Sequence, residues 1–173
     1  MYPGQRAIRC PFSKKNCMQT ILLEEILSYQ NENILSRFTD MFAVSDSEAE
    51  DIFTETKKFL FVCREQGMFI PDELLIVDEM WHNFILFTKD YQHFCATYFG
   101  HYIHHLPASR QEKVQQRLKS ETDPEQAASE FNQRLSVVIA TVYDKLGQDT
   151  VIKWFRQYPQ QFSKDIIKSL RRN

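Results

Sequence analysis

Apolar residues recur every three or four positions along most of this chain, and that spacing predicts helices almost throughout. Met18, Ile21, Leu22, Ile26 and Tyr29 mark a helix over 17–30, and Ile34, Leu35, Phe38 and Phe42 mark a second over about 32–42. Ser45 with Glu48 forms a capping-box pattern, which opens a helix through Ile52, Phe53, Phe59, Leu60 and Cys63 to a stop at Gly67. Pro71 starts the next, where its missing N–H costs nothing, and this one runs to about Phe87. Thr88 is expected to cap a helix ending at Gly100, and Ser109 with Glu112 repeats the capping box for roughly 110–119. Thr122 or Asp123, followed by Pro124, opens a long helix through Phe131, Leu135, Val138, Ile139, Val142 and Leu146, closed by Gly147. Asp149 is expected to cap a segment with Ile152 and Phe155, and a last helix after Pro159 carries Phe162, Ile166, Ile167 and Leu170. No run alternates with period two and no internal repeat is visible. The predicted architecture is all-α, a single compact irregular bundle of about seven to eight helices over 1–173.

Composition agrees. Hydrophobic content of 43% and charged content of 25% suit a soluble globular domain, and fourteen Phe imply a core built from rings. Four Gly disfavour a turn-rich β fold and leave little for a nucleotide-cradling loop. No apolar run reaches the length of a membrane span, and 1–16 is polar and basic with no apolar signal-peptide region. A cytoplasmic location follows as the expectation. There Cys10, Cys17, Cys63 and Cys95 are reduced thiols, and the six residues between Cys10 and Cys17 match no common zinc spacing.

Charge is uneven although the net value is −2. Residues 1–19 carry four bases and no acid, 20–79 carry fourteen acids against four bases, and 151–173 carry six bases against Asp165. Such asymmetry serves a partner surface, or the two ends contact each other or solvate separate faces. Six dispersed bases make a weak phosphate-binding face, so no nucleic-acid partner is expected.

All five histidines lie between His82 and His105, and imidazole is the side chain best suited to metal ligation and to proton transfer near neutral pH. At 100° per residue, Asp78 and His82 are neighbours one turn apart, flanked on both sides by apolar positions that include Trp81, Leu75 and Leu86. The pattern buries them together. Three uses stay open for the pair: an internal polar lock, metal ligation, or acid–base catalysis. His93 falls on the polar side of its helix with Asp90 and Thr97, as a surface residue. Antiparallel packing of the two helices meeting at Thr88 returns His104 and His105 toward Asp78 and His82, with one of the two turned inward. Asp78, His82, His104 and His105 are therefore the candidate ligands, with zinc as the simplest divalent ion.

The Asp78-x-x-Trp81-His82, Tyr91-x-x-Phe94-Cys95 and Gly100 to Ile103-His104-His105-x-Pro107 elements resemble the core of the glycine-rich domain-containing protein-like family, over about 45–107. The resemblance implies a shared domain, flanked here by the basic 1–16 segment and by C-terminal helices over 108–173. It implies no RNA binding, because the glycine-rich and RNA-binding segments of plant members are missing. Familiar hydrolase, phosphate-loop and dinucleotide motifs are also missing. The favoured function is a non-enzymatic helical adaptor with a protein partner and a buried structural Asp–His cluster. The alternative is a metal-dependent enzyme, a hydrolase, using Asp78, His82 and His104 or His105.

Overall fold

The computed structural model describes residues 22–106 and 109–172, so Cys10, Cys17 and the basic 1–16 segment lie outside the described residues. Ten α-helical segments follow one another: α1 (Leu23–Leu27), α2 (Glu32–Met41), α3 (Asp46–Val62), α4 (Leu75–Leu86), α5 (Thr88–Phe99), α6 (Arg110–Thr122), α7 (Pro124–Leu146), α8 (Gln148–Ile152), α9 (Tyr158–Gln161) and α10 (Lys164–Leu170). A 3₁₀ turn, Asp72–Leu74, leads into α4, and a π-helical turn, Lys153–Gln157, makes α8 and α9 one continuous stretch. The all-α bundle expected from the periodicity is the fold.

The helix starts obey local chemistry. Asn31 accepts from the N–H groups of Asn33 and Ile34 at the head of α2. Ser45 and Glu48 close a full capping box on α3, and Ser109 with Glu112 does the same for α6. Asp123 caps α7 by accepting from Gln126 N–H, ahead of Pro124. Gly67, Gly100 and Gly147 all have positive φ. At Gly100, φ +70° lets the chain turn out of α5 without Cβ strain, and this turn aims the following histidines back at α4.

Several boundaries differ from the sequence reading. Helix α1 is a single turn where 17–30 was expected, of which 17–21 are not described. Helix α3 stops at Val62, five residues before Gly67. Thr88 makes no side-chain cap, because α5 follows α4 after the single residue Phe87 and borrows that backbone as its start. Asp149 lies inside α8, whose N-cap is Gly147. Pro159 also lies within helix, just after the π-helical turn, and Ser163 caps the last helix instead.

Buried apolar residues from Ile26 to Ile167 form one cluster. Helices α3 and α4 are its spine, contributing among others Phe53, Phe59, Leu60, Val77, Met80 and Phe84. Rings meet edge to face there: Phe84 lies 5.3 Å from Phe53, 5.0 Å from Tyr91 and 5.2 Å from Phe94. The chain end is tied in by backbone. Ala43 N–H donates to Leu170 C=O at 2.7 Å, and Arg172 N–H to Met41 C=O at 2.8 Å.

The acidic and basic ends contact each other. Lys153 pairs with Asp51 and Glu55, and Arg171 pairs with Glu79. Glu55 is 2% exposed and accepts from Lys58 at 2.9 Å, Lys153 at 3.0 Å and Trp154 Nε1 at 2.8 Å. Tyr158 donates to Asp51, and burial beside these two carboxylates pushes its hydroxyl well above the ordinary tyrosine range. Burial alone would lower the Lys153 ammonium, but its bonds to Asp51 and Glu55 together hold it above the usual lysine value. This cluster fixes the tail against α3.

A candidate metal centre on the wall of a groove

Helix α4 supplies two of the candidate residues from successive turns, and the segment after Gly100 supplies the third. Asp78 Oδ1 accepts from His105 Nε2 at 2.7 Å, and Asp78 Oδ2 lies 3.5 Å from His82 Nδ1. The two imidazole rings are 4.3 Å apart. One donor atom from each of Asp78, His82 and His105 can be chosen so that all three lie within 4.8 Å of one another.

The position of His105 is set by the residues around it. Tyr91 accepts from Trp81 Nε1 at 2.9 Å and donates to Ile103 C=O at 2.7 Å, so one phenol ties α4, α5 and the 101–106 segment together. Burial pushes the Tyr91 hydroxyl up, which keeps it a proton donor at any physiological pH. The Trp81 ring edge packs on His105 at 4.3 Å. His104 borders the groove but is not among the converging donors. It is exposed and rests 4.8 Å from Tyr102, as alternation along an extended segment requires. His105 is therefore the inward residue, and His104 stands apart from the cluster.

The cluster is less buried than its helical position predicts. Side-chain exposure is 53% for His82, 21% for Asp78 and 14% for His105. His82 is more exposed than the helical wheel places it because Leu86, at the edge of its apolar arc, faces solvent, and Leu75, beside it on the wheel, packs on the core only in part. Leu75 is half-buried and Leu86 exposed. That arc lines an open groove. His93 is exposed as expected, and His101 bonds the Phe99 carbonyl through Nδ1 at 2.9 Å.

The groove has a volume of about 770 Å³ and lies between α4, the 101–106 segment and the α6–α7 pair. Phe59, Trp81, Leu75 and Phe131 line it with apolar surface, and Lys113 and Arg134 supply cations. Cys63 also lines it, with its thiol pushed up to about 12 by burial, and is not among the converging donors. Cys95 is buried and its thiol is likewise raised by burial. Sequence reading missed Tyr91 as a clamp and Lys113, Phe131 and Arg134 as groove residues. The only signal for Tyr91 was its place on an apolar face; the others come from helices distant in sequence and carry none.

A family model described as UCP032817-like matches residues 24–122. This corrects the resemblance to the glycine-rich domain-containing protein-like family, which the match does not show. The matched region also starts well before residue 45 and takes in α1, α2 and α6. No curated protein and no solved structure matches the chain.

Proposed function

We infer function from the site, because the chain belongs to the UCP032817-like family and that name carries no activity. We propose that Asp78, His82 and His105 hold one divalent metal ion, zinc in the simplest case, at the wall of a substrate groove. The observation that carries this reading is the convergence of one carboxylate oxygen and two imidazole nitrogens within 4.8 Å. Tetrahedral ligands at about 2.0–2.2 Å from one ion lie about 3.3–3.6 Å apart, so the donors must draw in on binding, and exposed His82 has room to do so. Three protein ligands leave a coordination position toward the groove, the arrangement of zinc sites that work on a bound water rather than only hold a fold. The reaction class is therefore metal-assisted hydrolysis. The 2.7 Å bond from His105 to Asp78 is then the metal-free resting contact, which keeps the imidazole aimed before an ion arrives.

Elemental analysis of untagged protein dialysed after zinc loading tests the site. The expected result is one equivalent of zinc in the parent chain and none in His82→Ala, with unchanged circular dichroism. A zinc-free parent chain would sink the reading and leave the cluster a polar lock.

An interaction module remains a second reading, carried by a separate observation on α6. Glu112, Gln115, Gln116 and Lys119 line the seam between α6 and α7. The two apolar residues of α6, Val114 and Leu118, sit on the opposite side at 50% and 56% exposure. A second copy in antiparallel register sets Val114 against the partner's Leu118. Sedimentation equilibrium decides: a dimer abolished by Leu118→Glu supports it, and a monomer at high concentration ends it.

A single domain over 1–173 in the cytoplasm completes the proposal. Its supports are the one apolar cluster from Ile26 to Ile167 and the unpaired thiols Cys63 and Cys95. No helix among the described residues is long and apolar enough to cross a membrane.

A further inference from the structure

Among the described residues, no acid pairs with Lys113 or Arg134 on the far side of the groove. The nearby carboxylates of α6 and α7 are engaged elsewhere: Glu112 with Ser109, Glu121 with Arg117, and Glu130 with Lys119. Exposed Arg134 has its guanidinium carbon 4.5 Å from the Phe69 ring centroid, and that ring meets Phe131 edge-on at 6.1 Å. A cation–π contact restrains the guanidinium before a ligand arrives and leaves its N–H groups to donate to one. Lys113 joins it on the same groove.

Charge counting within the groove then selects a ligand class. Its acidic lining residues are Asp72 and Asp78, and its bases are Lys113 and Arg134. A divalent ion on Asp78, His82 and His105 is neutralised by the two carboxylates, so the cations leave two positive charges uncompensated. A carboxylate ligand cancels one of them. A phosphate monoester carries about −1.5 to −2 at neutral pH and three terminal oxygens, enough for a metal and a guanidinium together. The remaining wall, with Phe59, Trp81, Leu75 and Phe131, offers apolar surface that suits a ring or alkyl body. A volume of about 770 Å³ falls within the range of small-molecule sites.

We propose that this groove binds phosphate monoesters of aromatic or apolar alcohols, with the phosphoryl group between the metal position and Lys113 and Arg134. The inference rests on the metal reading above and adds the chemistry of the substrate.

Calorimetric titration of the full chain, loaded with one equivalent of zinc at pH 8, tests it with phenylphosphonate, whose P–C bond resists hydrolysis. Benzoate keeps the ring with one charge, and methylphosphonate keeps the anion without the ring. Phenylphosphonate is expected to bind at least about tenfold tighter than either, and Lys113→Gln and Arg134→Gln each to weaken it about tenfold. Zinc content is expected to stay at one equivalent in both variants, which lack no ligand. Benzoate or methylphosphonate binding as tightly as phenylphosphonate overturns the proposal. So does unchanged affinity in the Lys113→Gln/Arg134→Gln double variant. Failure of the metal reading appears separately, as a chain without zinc. In that case phenylphosphonate binding that still depends on Lys113 and Arg134 upholds the anion site, and its absence overturns both.

Discussion

Two carboxylate clusters in this molecule use similar residues to opposite ends. Glu55 is sealed in the core, and its oxygens accept from two lysines and an indole, all fixed by α3 and the 153–158 stretch. Asp78 sits on a groove wall, and its partners are imidazoles, one held firmly and the other half in solvent. The first cluster is saturated: every donor is spent on another part of the chain, so nothing is left for a ligand. The second is unsaturated and faces open space. A buried ion pair with all its bonds made specifies a fold, whereas an incomplete one at a cavity has capacity to bind. The contrast lies in saturation, because both clusters pair acid with base and both bridge distant segments.

Removing Glu55 separates the clusters most sharply. Glu55→Ala strands Trp154 Nε1 without its buried acceptor and leaves Lys153 with Asp51 alone, and a loss of about 3 kcal/mol is expected in denaturant unfolding. A loss as small as that of Asp78→Asn would show that the saturated cluster is no structural anchor. Tyr91→Phe comes next. It leaves Trp81 Nε1 and Ile103 C=O unpaired in the interior, at a cost of about 1–3 kcal/mol, and weakens zinc binding by freeing the segment that carries His105. Unchanged zinc affinity in that variant would show that the phenol holds the fold without holding the site.

A third charged group lies between these extremes. Lys57 is buried, donates to the Leu27 and Tyr29 carbonyls at 2.7 Å each, and is lowered to about 8 by burial. Its unfolded value is near 10.4, so the folded chain binds fewer protons between these limits and stability rises with pH from about 8 to 10.5. Lys57→Met lacks that rise. The difference in unfolding free energy between parent and variant, followed across this window, should therefore move steadily in favour of the parent; a constant difference refutes it. The smallest effect belongs to the open cluster. His82→Ala should change metal-free stability by no more than about 0.5 kcal/mol, since its side chain is 53% exposed. A large loss would make His82 a structural residue after all.

Local signals were readable where local chemistry decides the outcome. The capping boxes at Ser45 and Ser109, the cap at Asp123 and the turn at Gly100 all depend on residues within three or four positions. Asp78 and His82 were found because one helical turn separates them, and antiparallel packing of α4 and α5 returned the His104–His105 pair toward them without saying which of the two turns inward. The burial of His82 was not readable, because periodicity marks an apolar arc without saying whether core or groove lies beyond it. The groove itself was invisible: Lys113, Phe131 and Arg134 face Asp78 only through the placement of α6 and α7. The charge asymmetry was visible but ambiguous until Lys153 and Arg171 met Asp51, Glu55 and Glu79.

The contact of Trp81 with His105 gives the molecule its own optical reporter. The indole touches the imidazole by its ring edge and is wired to Ile103 through Tyr91, so any ligand that draws His105 away from Asp78 alters the surroundings of one fluorophore. The other tryptophan, Trp154, is bonded to Glu55 in the sealed cluster and supplies a constant background. Replacing Trp154 with Phe would leave an emission signal that reads the groove alone, and occupancy becomes a titration followed by eye of the spectrometer, with no label attached.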